Sequence, residues 1–220
     1  IKLVIFDLDG VLVEAKNIHY DALNDALGKE YSISWNEHLS TYDGLKTNQK
    51  LDMLSEKKGL PTELHKDIWN HKQKLTLQKL KQLEPSEILI ELMDSLVERG
   101  YKIAVCSNSI RKTVLTVLSK LGIMEYMDLV ISNEDVQNSK PHPEMYWKGI
   151  SMMSCLPEET LIVEDSPYGL LAAARSKSHI LRVKNTKEVT LANLNNKLTQ
   201  INMGEQQSIP AWRDSTLNVL

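Results

Sequence analysis

The run Leu3-Val4-Ile5-Phe6 has no polar face, and it ends on two carboxylates, Asp7 and Asp9, closed by Gly10. A stretch this short and apolar throughout is the pattern of a strand covered on both sides. It recurs at Ile103-Ala104-Val105, Leu129-Val130-Ile131, Leu161-Ile162-Val163 and, more weakly, Ile180-Leu181. Between these runs the apolar residues change to helical spacing. Ile88, Leu89, Leu92, Met93, Leu96 and Val97 form one such face, with Ser86 as N-cap and Gly100 ending the run. Val114, Leu115, Leu118 and Leu121 form another before Gly122, and Val189, Leu191, Leu194, Leu198 and Ile201 a last one. Strands alternating with helices predict an α/β fold: a Rossmann-like parallel sheet flanked by helices.

The first two runs are about ninety residues apart, far more than one crossover helix requires. The stretch between them is helical in character, with partial apolar faces at Leu23, Ala26 and Leu27, at Leu51 and Leu54, and at Leu75, Leu77 and Leu80. A structureless loop of that length does not suit a compact domain. We therefore expect an inserted all-helical cap, residues 14–84, above the C-terminal edge of the sheet, with the catalytic core in 1–13 and 85–203. Residues 204–220 are polar around Pro210 and read as a linker, and Thr216-Leu217-Asn218-Val219-Leu220 reads as the first strand of a further, truncated domain.

Composition sets the class. At 220 residues, 42% apolar and 25% charged, the chain suits one sizeable core with a small insertion. A net charge of -3 gives no electrostatic case for nucleic acid, and no apolar run reaches the roughly 20 residues of a membrane span. The chain opens directly on a strand, which leaves no room for a signal peptide, so a cytoplasmic location is the default expectation. The two cysteines, Cys106 and Cys155, have no metal-ligand spacing, and Cys106 ends an apolar run as a buried thiol would.

The chemistry sits where the runs end. Residues i and i+2 of an extended segment face one side, so Asp7 and Asp9 can reach one point. Functional loops of a parallel sheet gather at the strands' C-terminal ends, and Ser107, Lys140, Glu164 and Asp165 all fall in such loops. Facing acidic clusters repel unless a cation lies between them, and an all-oxygen set suits Mg²⁺. Lys140 adds a fixed positive charge, and Ser107 a hydroxyl expected at a helix start, where free N–H groups favour an anion. Taken singly, Asp-Leu-Asp-Gly suits a turn, Ser107 a helix cap, Lys140 a solvated loop, and Ser166-Pro167 a helix entry. Jointly and in this order they suit a carboxylate nucleophile beside Mg²⁺ and a phosphate.

With these four segments the chain resembles the haloacid-dehalogenase-superfamily phosphatases of the group that includes β-phosphoglucomutase. The matching motifs are Asp7-Leu8-Asp9-Gly10-Val11, Ser107-Asn108, Lys140-Pro141-His142-Pro143 and Glu164-Asp165-Ser166-Pro167-Tyr168-Gly169, and the likeness covers about residues 1–201. It implies that Asp7 is the nucleophile that becomes an aspartyl phosphate. Asp9 would be the general acid and then the base, with Ser107, Asn108 and Lys140 holding the phosphoryl group. Asp7, the Asp9 main-chain carbonyl and Asp165, with Glu164 nearby, would hold Mg²⁺. For Asp9 to be protonated when the leaving group departs, its pKa should be raised by Asp7.

The substrate is implied less sharply: a small phosphorylated metabolite, such as a sugar phosphate. His19 matches a histidine of the mutase, but Ala15 and Thr47 stand where the mutase has a threonine and an arginine. Loss of that arginine removes a clamp for a second phosphate and favours a phosphatase, with Lys46 a partial substitute that keeps a mutase as the alternative. A regulatory module fused to a further domain is the third reading. Lys66, Lys72, Lys74, Lys79 and Lys81 read mainly as a solvated helix face, with one or two able to reach the cleft. Trp35, Trp69, Tyr42 and Met152-Met153 read as packing.

Overall fold

The structure is a computed structural model that describes residues 1–204. The further strand expected near the C-terminus, and all but the first residue of the linker, lie outside the described residues. The chain runs β1 (Leu3–Phe6), α1 (Lys16–Tyr31), α2 (Trp35–Glu37), α3 (Thr47–Lys58), α4 (His65–Leu80) and α5 (Glu87–Glu98). It continues through β2 (Lys102–Cys106), α6 (Arg111–Lys120), β3 (Leu129–Ile131), α7 (Glu144–Met152), β4 (Thr160–Glu164), α8 (Pro167–Ser176), β5 (His179–Arg182) and α9 (Leu191–Asn202).

The strands pair in parallel in the order β3-β2-β1-β4-β5. Thus β1 is central, and the chain leaves it first toward β2 and later toward β4, which creates a switch point at the C-terminal edge. Side chains alternate across the pleat. Val4 and Phe6 enter one apolar cluster with Leu92 and Met93 of α5 and Val114 and Leu118 of α6. Leu3 and Ile5 enter another with Met145 and Tyr146 of α7 and Ala172 and Ala173 of α8. The runs in β1, β2 and β4 are therefore strands buried on both faces, whereas Leu129 and Val130 of β3 and Ile180 and Leu181 of β5, at the sheet's edges, are half-buried.

A third apolar cluster, built from Leu23, Leu27, Ile33, Tyr42, Leu51, Leu54, Leu60 and Ile68, belongs to the helices between β1 and β2. Those helices do not bury only apolar residues. The inward stripe of α4 is Ile68, Lys72, Gln73, Thr76 and Leu80, whereas Leu75 and Leu77 are half-buried. Similarly, α3 buries Thr47 and Lys50 beside Leu51 and Leu54.

Two helix starts differ from expectation. Ile110 is extended (φ -68°, ψ 151°) and α6 begins at Arg111, so Ser107 does not start a helix. Its N–H is already donated to Ile131 O at 3.0 Å, leaving no free helical N–H at that position. The last helix begins after Thr190, whose hydroxyl accepts from Asn193 N, so Val189 precedes it. Ser86 caps α5 as expected, accepting from Leu89 N at 3.4 Å. Among the described residues no helix is long and apolar enough to cross a membrane.

Candidate active site

Asp7 follows β1, Ser107 follows β2, Lys140 lies in the loop after β3, and Glu164 closes β4. The sheet thereby brings four distant segments to one edge. Lys140 is at the centre, 2% exposed, with its ammonium 2.6 Å from Asp7 Oδ1, 2.7 Å from Glu164 Oε1 and 2.9 Å from Cys106 O. All three N–H donors are used. Burial alone would lower the Lys140 pKa, but Asp7 and Glu164 outweigh it and hold the ammonium charged.

Glu164 is fully buried and saturated. Oε1 accepts from Lys140 and, at 3.0 Å, from the Tyr146 hydroxyl; Oε2 accepts from Asp165 N and Ser166 N. Gly169 makes that position possible, because a Cβ there would overlap the Glu164 carboxylate. Asp165 is the opposite case. Both of its oxygens are buried, Oδ1 has no partner, and Oδ2 has the Lys16 ammonium alone. Lys16 Nζ lies 2.9 Å from Oδ2 as an ion pair and 3.5 Å from Asp43. Burial and the Glu164 charge push the Asp165 carboxyl up to about 6, with Lys16 opposing. Burial likewise raises Asp7 well above the usual carboxylate range, with Glu164, Asp165 and Asp9 adding and Lys140 opposing.

Asp7, Glu164 and Asp165 each offer an oxygen within 4.8 Å of the others. Three crowded carboxylates, one of them with a buried oxygen that has no partner, share two ammonium groups and form a donor set short of positive charge. That suits a hard divalent cation such as Mg²⁺. Asp7 and Asp165 have the free oxygens to hold it; Glu164 is committed to Lys140 and the turn. Gly10 (φ 92°) turns the chain away at this point, and a Cβ there would run into the Asp165 carboxylate.

Asp9 faces away from this cluster. Its Oδ1 lies 3.0 Å from His19 Nε2, and Oδ2 accepts from the Ser109 hydroxyl at 2.8 Å. The expectation of a raised pKa is overturned. Burial does push it up, but the contacts from His19 and Ser109, with the charge of Lys72, bring it down to about 2. Only the main chain of Asp9 remains for a cation. Ser107 Oγ accepts from Ser109 N at 3.0 Å. Asn108 ties three loops together, donating to Gly44 O and Lys140 O and accepting from Lys140 N.

These groups open onto a cleft of about 250 Å³. Asp7, Asp9, Ser107, Asn108 and Lys140 line its floor, and His19, Lys46, Thr47, Lys50, Trp69, Lys72 and Gln73 come from the segment between β1 and β2. Glu164 and Asp165 lie behind the lining. Trp69 packs against the third apolar cluster as expected and also borders the cleft, and Lys72 is the member of the lysine stripe that reaches it. Sequence reading missed Lys16, Lys50, Ser109 as a partner of Asp9, and Tyr146. None has a local pattern that distinguishes it from solvated or core residues.

The sequence pattern of the haloacid dehalogenase-like hydrolases matches residues 4–183. The chain belongs to that family. This hydrolase is 27% identical over 210 residues to a haloacid dehalogenase-like hydrolase domain-containing protein of Arabidopsis thaliana, aligning 80% of its own length and spanning 66% of that relative. It is 27% identical over 174 residues to the pyrophosphatase PpaX of Bacillus cereus, covering 78% and 77% of the two chains. In fold it matches a β-phosphoglucomutase of Clostridium difficile with a TM-score of 0.81 at 21% identity, over 92% and 99% of the two chains.

Proposed function

We infer that this hydrolase is a Mg²⁺-dependent phosphatase that cleaves a small phosphomonoester, such as a sugar phosphate, through an aspartyl phosphate on Asp7. The observation that carries this reading is the buried Asp165 carboxylate, paired only through Oδ2 with Lys16, within reach of Asp7 and of Glu164, which both hold the Lys140 ammonium. Membership of a hydrolase family and kinship with a pyrophosphatase support it.

In this mechanism an Asp7 oxygen attacks phosphorus and the ester P–O bond breaks. The departing oxygen takes a proton from Asp9. Water then attacks the phosphorus of the acyl phosphate, Asp9 takes the water proton, and the bond to Asp7 breaks to release phosphate. Lys140 holds Asp7 in place and offsets charge on the phosphoryl oxygens, and Ser107 and Asn108 supply polar contacts on the cleft floor. A bound Mg²⁺, held by Asp7, Asp165 and the Asp9 carbonyl, would supply further charge stabilisation. Asp9 is ionised while His19 and Ser109 both bond it, so it takes up the proton it needs only when those contacts open.

Residues 14–84 serve as a cap that closes the cleft from above, and the substrate is a soluble metabolite of the cytoplasm. The two free cysteines accord with a reducing compartment. The test is phosphate release from an aryl phosphate with and without Mg²⁺. Asp7→Asn should lower kcat by at least about 10³-fold. Parent-level turnover by this variant, or turnover indifferent to chelators, would overturn the reading.

A further inference from the structure

Two lysines on the cap side of the cleft have no role in the reaction above. Lys50 of α3 and Lys72 of α4 are 5% and 6% exposed, come from different helices, and line the same cleft as Asp7 and Lys140. Among the described residues the Lys50 ammonium makes no hydrogen bond or ion pair; Asp43 and Asp9 act on it only at longer range. Lys72 has one partner, His19 Nδ1 at 3.3 Å, and the opposite ring nitrogen of His19 already serves Asp9. A buried ammonium without a counter-charge is costly, and two of them side by side repel. Burial pulls the pKa of each down, and Lys50 further lowers that of Lys72, to about 7.

Packing alone does not account for the pair. A lysine stem can cover apolar surface while its head reaches water, but here both residues are buried and line one cleft together with Asp7 and Asp9. Their neighbours are polar, with Gln73 Nε2 donating to Thr47 Oγ1 at 3.2 Å. An anionic group entering the cleft would supply the missing counter-charge.

We propose that Lys50 and Lys72 form a second anion site, and that the substrate is a phosphate ester carrying a further anionic group, a second phosphate or a carboxylate. Thr47 leaves the position one helical turn before Lys50 uncharged, so on α3 the charge is carried by Lys50. The proposal rests on the phosphatase reading and names its substrate class.

The test compares three phosphate esters of similar length, ending in a hydroxyl, a carboxylate or a second phosphate, under Mg²⁺. A parallel titration measures the binding of methylphosphonate and of methylenebisphosphonate by calorimetry. The parent protein should favour one of the doubly anionic esters by at least about tenfold in kcat/KM, mostly through KM. Which of the two is favoured identifies the second group. The bisphosphonate should likewise bind at least about tenfold more tightly than the monophosphonate. Lys50→Met and Lys72→Met should each erase most of both preferences, and Lys50→Arg should keep them. Methionine retains the apolar stem, so the folds should survive. Equal handling of all three esters by the parent, or preferences unchanged in both methionine variants, would overturn the proposal. Failure to cleave even an aryl phosphate would instead remove the phosphatase reading, and with it the claim that the held group belongs to a substrate.

Discussion

At Gly10 the backbone has φ 92°, and the space where a Cβ would stand is filled by the Asp165 carboxylate. Gly10→Ala therefore strains the backbone and displaces the Asp165 carboxylate together. We expect a loss of roughly 1–3 kcal/mol in urea unfolding and weaker Mg²⁺ binding by calorimetry. Lys72 gives a pH signature. Its folded pKa of about 7 lies below that of an exposed lysine, so the unfolded chain binds more protons between pH 7 and 10. Stability should accordingly rise with pH in that window, with His19, Lys50 and Asp9 as the surrounding charges. Between pH 7 and 9 the parent should gain on the order of 1–2 kcal/mol relative to Lys72→Met, read from paired denaturant melts. Single residues were unequally legible. Asp7 and Asp165 could be read because each lies where an apolar run breaks off, and Lys140 because it stands before Pro141 in the loop after one. The lowered pKa of Asp9 could not, because it depends first on His19 of α1 and then on Ser109, one hundred positions away, and only the fold brings these together.

The strands and α5 could be read as whole elements because each has a single apolar rule, continuous for a doubly covered strand and helically spaced for a one-faced helix. Ser86 is the clearest boundary. Ser86→Ala should cost about 1 kcal/mol in thermal or urea melts, because Leu89 N loses its acceptor. The helices α3 and α4 resisted reading because the face they bury contains Lys50, Lys72, Gln73 and Thr76. Periodicity assigns such residues to solvent, yet here they border the cleft. The start of α6 was misplaced for a related reason. The Ser107–Ile110 segment spends its groups on contacts with Ile131 O, Gly44 O and Lys140, which no helical rule anticipates.

For the whole molecule, the decisive feature is that the two sheet faces and the helices between β1 and β2 keep separate apolar clusters. Each amide of Val4 to Phe6 lies in a strand paired on both sides, at the centre of five strands. Asp7 is thus anchored on the most protected part of the chain, and Lys50 and Lys72 on helices that share a small interior of their own. Deuterium uptake followed by mass spectrometry should separate them. Exchange across 3–6 should require global opening, whereas exchange across 47–58 should proceed through a partial opening of lower free energy. The centre strand would then serve as an internal clock against which motion of the lysine-bearing helices can be timed. Adding the anion they hold should slow those helices and leave the clock unchanged.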